Sequence, residues 1–342
     1  MIATEGVKYR ANRAASIHCI AGSLLPRKTS QDLSSWRSGY YFHGKEIGRG
    51  HFSKVYRVTS LTDNKEGAVK VIRRRRGGID RIQTIRQEIK IMQDLMNKSV
   101  QSVIKLNFVH ESYIEVALVM EIAKGGCLFD VVRESHNGLP ENYVQQITKR
   151  LLSALLVMHQ TNIVHLDIKA DNILLREPYP STDIALCDFG LATQLSSGKV
   201  HRELVGTPDY IAPEIINYEE ISMFTDMWSL GVLTYYLLTS ESPFMADTKE
   251  MTMLNVSKIN FSFPEDKFTK SLDEAKDFIS KLIVKRPNMR LSATEADKHS
   301  WLSPVVLSEA PVESDQMNQK SDLEILEESK SLSSDSGYES CL

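Results

Sequence analysis

At 342 residues, with 42% hydrophobic and 25% charged side chains, the chain has the make-up of an average globular protein and room for two domains or one bilobal unit, which excludes a wholly disordered or fibrous polymer. Lys plus Arg number 41 against 44 Asp plus Glu, a formal net charge of −3 that argues against a dedicated nucleic-acid binder. The four cysteines, Cys19, Cys127, Cys187 and Cys341, are too scattered for a disulfide framework or a zinc site, so a reducing compartment, cytoplasm and/or nucleus, is expected.

The charge is unevenly spread. Residues 1–40 carry six basic side chains against two acids, a net of +4, whereas residues 303–342 carry nine acids against Lys320 and Lys330, a net of −7. A neutral folded part, 41–302, is therefore expected between a basic flexible arm and an acidic, Ser-rich disordered tail. In the arm, the apolar stretch Ala14–Leu25 is diluted by Ser16, His18 and Ser23 and no clean cleavage site follows, so a secretory signal is not expected. Its basic, acid-poor, Ser-containing composition leaves a mitochondrial presequence as the alternative.

From Tyr41 to Glu121 the predicted elements are mainly short strands, Val55–Thr59, Ala68–Arg73, Ile104–Val109 and Ile114–Glu121, rich in β-branched residues and punctuated by Gly, Asn and Asp. One helix interrupts them at Arg81–Leu95, where Ile82, Ile85, Ile89 and Met92 recur at three and four residues. After Gly125 and Gly126 the pattern turns helical, with Val144–His159, Phe224–Leu238 and Leu272–Ile283. The uncharged stretches Leu151–Leu166 and Met227–Ser240 are broken by polar residues and fall short of the roughly 18 apolar residues of a membrane span, so they read as buried helices.

Ile47–Val55 reads I-G-R-G-H-F-S-K-V, two glycines in G-x-G spacing that let backbone N–H groups approach a polyphosphate. By itself this pattern is more often only the turn of a hairpin. Lys70, however, lies inside the apolar run Ala68–Arg73, where a charge needs a partner, and Glu88 on the following helix can supply one. Then come His165-Leu166-Asp167-Ile168-Lys169-Ala170-Asp171-Asn172, Asp188-Phe189-Gly190 and Ala212-Pro213-Glu214. Any one tripeptide occurs by chance; the ordered set does not.

With these motifs the sequence resembles the eukaryotic protein kinases over roughly Tyr41–Leu302. The resemblance implies an α+β bilobal fold: a small β-rich lobe with one helix at 41–121, a hinge at 121–124 and a larger, mainly helical lobe at 125–302. It implies ATP and Mg²⁺ as cofactors and protein Ser/Thr hydroxyls as acceptors. Carried over by position, Lys70 holds the α/β-phosphates and pairs with Glu88, while Gly48 and Gly50 cover the phosphates. Asp167 accepts the acceptor hydroxyl proton, with Lys169 beside it, and Asn172 and Asp188 bind the metal. Ile47, Val55 and Ala68, with Glu121 and Ala123 at the hinge, complete the nucleotide site. Lys169 and Thr207 match the serine/threonine type. Asp226 corresponds to the acid that steadies the catalytic loop, and Arg290 to the partner of Glu214.

Within that superfamily, Ile221–Tyr235 and the basic Arg73–Arg76 resemble the death-associated protein kinase family, and the His-Leu-Asp loop its apoptosis-inducing, DRAK-type branch. Cys127 stands where this group usually has Glu, and Ala170 replaces the usual Pro. The competing readings are a pseudokinase scaffold, weakened because Lys70, Glu88, Asp167, Asn172 and Asp188 are all retained, and a small-molecule phosphotransferase, disfavoured by Gly206–Tyr210 and Ala212–Glu214. Arg73–Arg76 reads as a solvated loop or as a partner-docking or nuclear-import patch. The segment after Leu302 is acidic, so no calmodulin-binding helix is expected there. Cys187, next to Asp188, is expected to face the nucleotide pocket. Asp335-Ser336-Gly337 followed by Ser340 resembles a D-S-G-x-x-S phosphodegron, a signal for a ubiquitin-ligase adaptor.

Overall fold

The computed structural model of the protein describes residues 36–50, 53–269 and 272–303. The chain enters the fold earlier than the sequence suggests. Trp36, expected in the flexible arm, is only 4% exposed, its ring set against Tyr40, Phe42 and His110, and strand β1 already begins at Tyr40 (Tyr40–Arg49). Its apolar side chain is removed from water by the outer face of the sheet.

Strands β2 (Ser53–Ser60) and β3 (Glu66–Arg73) follow, then a short hairpin of β4 (Arg75–Arg76) and β5 (Ile79–Asp80) that turns on Gly77 and Gly78, both at positive φ. Helix α1 (Ile82–Asn97), β6 (Leu106–Glu111) and β7 (Glu115–Met120) complete the first lobe. The five longer strands form one antiparallel sheet in the order β1-β2-β3-β7-β6. Side-chain alternation divides it. Val69 and Val71 of β3 and Ala117 and Val119 of β7 join Trp36, Val58 and Phe108 on one face, while Ile72, Val116, Leu118 and Met120 join the main core on the other. Lys70 lies between Val69 and Val71, so the period of two turns it to the main-core face. Helix α1 covers that face with Ile85, Glu88, Ile89 and Met92, residues three and four apart, among its buried positions.

Beyond β7 the chain runs without regular structure to α2 (Leu128–Ser135) and α3 (Glu141–Gln160). Next come β8 (Ile163–Val164), a 3₁₀ turn at Ala170–Asn172, β9 (Ile173–Leu175), β10 (Ile184–Leu186) and β11 (Thr193–Gln194), paired as β9 with β10 and β8 with β11. Helices α4 (Pro213–Ile216), α5 (Met223–Thr239), α6 (Lys249–Lys258), α7 (Asp273–Leu282) and α8 (Ala293–Asp297) finish the second lobe. Helix α5 is buried on nearly every side, as its all-round apolar sequence requires, and packs on α3 and α7. Gly125, at the entry to this lobe, is sterically obligatory: a Cβ there would stand 2.3 Å from the Glu177 carbonyl oxygen and 2.7 Å from Leu175 Cβ. The expected strands and helices are thus present with ends shifted by a few residues, except that the stretch Leu151–Leu166, read as one buried helix, leaves α3 at Gln160 and continues through β8; β1, α2, α6 and α8 are not among the expected elements. None of the described helices is long and apolar enough to cross a membrane.

Candidate active site

Two lysine contacts bring the lobes together. Lys70 Nζ lies 2.7 Å from Glu88 Oε1 and 2.7 Å from Asp188 Oδ1, joining β3, α1 and the segment after β10. Burial alone would lower the Lys70 pKa, but the two carboxylates outweigh it and raise the pKa above the ordinary lysine value. Asp188 is the mirror case: burial pushes its pKa up, and Lys70 more than reverses this, leaving it below the usual carboxylate range. The Lys70 and Glu88 side chains are 11% and 6% exposed, whereas Asp188 keeps 44%, so one carboxylate remains open to the cleft.

The second cluster forms on the loop between β8 and β9. Asp167 Oδ1 accepts from the Thr207 hydroxyl at 2.7 Å, and Oδ2 accepts from Asn172 Nδ2 at 2.8 Å, with Lys169 Nζ 2.9 Å away. Lys169 also donates to Thr207 Oγ1 at 2.6 Å, closing a network of lysine, threonine and aspartate. The loop is held from below by fully buried Asp226, which accepts the backbone N–H groups of His165 and Leu166, each at 2.9 Å, and His159 Nε2 at 3.0 Å. Burial by itself would raise the Asp226 pKa; the His159 hydrogen bond and charge, with His165, hold it below the ordinary value instead. These bonds fix Leu166 in the left-handed region at φ 66°, a conformation that costs a non-glycine residue free energy and persists only where the surroundings impose it. His165 Nδ1 accepts the Asp167 N–H at 3.3 Å, so its Nε2–H donates to the Cys187 carbonyl at 3.2 Å. The Cys187 N–H in turn donates to the Asn172 carbonyl at 2.9 Å, tying the loop to the Asp188 segment.

The remaining expected residues divide. Gly48 pairs with Val55, Val55 with Lys70, and Ala68 with Met120, placing them in the sheet around the lysine, and Ile47 is 54% exposed. Gly50 N–H donates to the Ser53 carbonyl at 3.0 Å; His51 and Phe52 lie outside the described residues. The Ala123 N–H has no backbone acceptor among the described residues, so it can serve a ligand. The Glu121 carboxylate, at the hinge, accepts from the Lys105 N–H at 3.0 Å and from Arg176. Arg176 carried no recognisable motif in the sequence, and Cys127 proves to be a donor, its thiol 3.0 Å from Asp130 Oδ2.

The donor chemistry fits a polyphosphate with a hard cation: a paired ammonium, a half-exposed carboxylate at Asp188 and the Asn172 amide oxygen, whose Nδ2 is committed to Asp167. A second group, Glu274, Asp277 and His299, does not fit a metal. Lys281 Nζ already sits 2.6 Å from Asp277, and His299 Nδ1 accepts the Trp301 N–H, so Nε2 carries a proton.

The family model for the protein kinase domain matches residues 41–302. The chain belongs to the protein kinase family. Among curated relatives it is 42% identical over 261 residues to serine/threonine-protein kinase 17A of Oryctolagus cuniculus, covering 76% of this chain and 65% of that one. It is 37% identical over 279 residues to death-associated protein kinase 2 of Homo sapiens, covering 80% and 74%. Among solved structures, the twitchin kinase region of C. elegans is 31% identical with a TM-score of 0.70, covering 78% of this chain and 46% of that chain. Titin kinase with its flanking domains is 30% identical with a TM-score of 0.69, covering 79% and 48%. The chain therefore spans just under two thirds of the first relative's length and about half of the solved chains.

In this protein kinase fold Glu214 and Arg290 form the buried pair expected from their positions. Arg290 donates to both Glu214 oxygens at 2.8 and 2.7 Å, to the carbonyls of Val284, Phe224 and Lys285, and lies over the Trp228 ring. Both side chains are at most 1% exposed. The pair is therefore a structural anchor of the segment that begins at Asp188.

Proposed function

We propose that this chain is an active serine/threonine protein kinase that transfers the γ-phosphoryl group of ATP to protein hydroxyls with the help of Mg²⁺. The observation that carries the reading is the simultaneous presence of the Lys70–Glu88–Asp188 ion triad and the Asp167 carboxylate bonded to Thr207, Asn172 and Lys169. Phosphoryl transfer leaves a protein little covalent work, so positioned charge is what the chemistry requires. In this reading Lys70 binds the α/β-phosphates and Glu88 keeps its ammonium oriented. Asn172 and Asp188 supply oxygen ligands to Mg²⁺, which when bound screens the phosphate charge. Asp167 receives the hydroxyl proton of the acceptor, and Lys169 balances charge next to it. Gly48 and Gly50 bring backbone close to the phosphates; Ile47, Val55 and Ala68 enclose the base, and Glu121 and Ala123 offer backbone groups to its edge.

The pseudokinase alternative has no support, because all five positions it would vary retain their chemistry. The names of the death-associated relatives support cell-death signalling as the setting, the scattered cysteines a reducing compartment such as the cytoplasm or nucleus, and the tail match at Asp335–Ser340 a ubiquitin-ligase adaptor as a partner. The test is incorporation of labelled phosphate from Mg·ATP into a generic basic protein, beside Asp167→Asn. Wild-type transfer to Ser and Thr with a loss of about 10²–10⁴-fold in the variant is the expected result. Nucleotide binding without transfer by the wild type would overturn the enzyme reading.

A further inference from the structure

Arg176, the residue directly after β9, uses every donor it has. Its guanidinium reaches Glu121 with Nε at 3.2 Å and Nη2 at 2.9 Å, Asp183 Oδ1 with Nη1 at 3.0 Å and the Ile184 carbonyl with Nη1 at 2.7 Å. Nη2 also donates to the carbonyls of Gln101 and Val103 at 2.9 and 3.0 Å. Five N–H groups in a rigid plane thus meet acceptors from three places: the β9–β10 hairpin of the second lobe, the hinge, and the loop that leaves α1. The side chain is only 16% exposed, and Glu121 only 20%. The link is reinforced on both sides. Glu121 exchanges two bonds with Lys105, its N–H to the Lys105 carbonyl and its carboxylate from the Lys105 N–H, each at 3.0 Å. The Arg176 carbonyl accepts the Lys124 N–H at 3.0 Å, and Val103 bridges to Leu186 of β10.

The loop it grips ends α1, the helix that presents Glu88 to Lys70. We infer that Arg176 is a positioning residue that locks hinge, α1 and second lobe into the one arrangement in which the nucleotide cleft is assembled. It touches no reacting group; it acts by reducing the freedom that nucleotide binding would otherwise have to remove. A lysine could supply the charge but not five planar donors, which gives Arg176 a requirement of shape as well as sign. The inference rests on the kinase reading for its catalytic consequence, though not for its structural one.

The test compares Arg176→Gln, Arg176→Lys, Glu121→Gln and the double variant Arg176→Gln/Glu121→Gln in the full chain. The expected kinetics are a rise of about five- to tenfold in KM for ATP in Arg176→Gln, a smaller rise in Arg176→Lys, and peptide KM within about twofold of wild type. The double variant should be no worse than Arg176→Gln alone, within about twofold, because one interaction is removed twice. Amide hydrogen exchange at Lys105 and Glu121, read without nucleotide, should speed up while the β3–β7 ladder stays protected. Unchanged KM for ATP, a multiplicative double variant, or unchanged exchange at both amides each overturns the inference. Should Arg176→Gln not fold, Arg176→Lys and Glu121→Gln carry the same comparisons. If wild type transfers no phosphate, the kinase reading falls separately, and the clamp is decided by exchange and by Mg·ATP affinity measured calorimetrically.

Discussion

Cys187 illustrates how neighbours rather than identity decide a residue's chemistry. Its place before Asp188 is the ground for expecting it to face the nucleotide pocket. Burial, with the Asp188 charge next, pushes its pKa up to about 12, outweighing the opposing effect of Lys70. A thiol so far from ionised at neutral pH is a poor nucleophile. Iodoacetamide at pH 7.5 should therefore modify Cys187 at least about a thousandfold more slowly than a free thiol, on the thiolate fraction alone, with or without ATP. Rapid labelling seen by mass spectrometry, blocked by nucleotide, would contradict this. Lys70, Glu88, Asp167, Asn172 and Asp188 were legible because each is a costly or constrained residue type in a fixed order. Thr207 bonding to Asp167, and the Glu121 carboxylate turning to Arg176, depend on side-chain directions that no spacing encodes.

The segment from Asp188 to Glu214 is held by contacts made without phosphate. Gln87 Nε2 donates to the Ala192 carbonyl and to Thr193 Oγ1, each at 3.2 Å; β11 pairs with β8; Thr207 bonds Asp167; and Ser229 Oγ donates to the Tyr210 carbonyl at 3.0 Å. Leu166, where many kinases place an arginine, is 6% exposed in the apolar core and offers no cation to a phosphate. Phosphatase treatment of the purified protein should accordingly change turnover by less than about twofold; a tenfold loss would show that a phosphate contact is required. Acid acts on the same elements through Asp188 and Asp226. Their folded pKa values lie below the ordinary one, so the stability they lend is complete above about pH 4 and disappears as pH falls through the folded values. Thermal melts from pH 7 to 2 should show the melting temperature dropping below about pH 4, with a shallower drop in Asp226→Asn; equal slopes would remove Asp226 from that account.

At the scale of the whole molecule, the acidic, Ser-rich tail read from the sequence carries a proposal of its own. Asp335–Ser340 lies outside the described residues, and the proposal for it is chemical: two phosphates at Ser336 and Ser340 would present doubly charged acceptors to an arginine-lined pocket. Replacing both serines by alanine should lengthen the half-life in cells without altering the rate of phosphoryl transfer in vitro; an unchanged half-life where the adaptor is active would rule the motif out. By itself the amino-acid sequence determined the two-lobed α+β plan and the order of the phosphate-handling residues. Periodicity reports which face of an element is buried, and a buried charge must have a partner. Only the tertiary structure decided that Trp36 packs into the fold, that Asp226 steadies the loop of Asp167 through the N–H groups of His165 and Leu166, and that Arg176 ties the hinge to the loop after α1. Those contacts join residues about 55 to 75 positions apart, and their energy comes from geometry and exclusion of water, which a linear pattern does not carry.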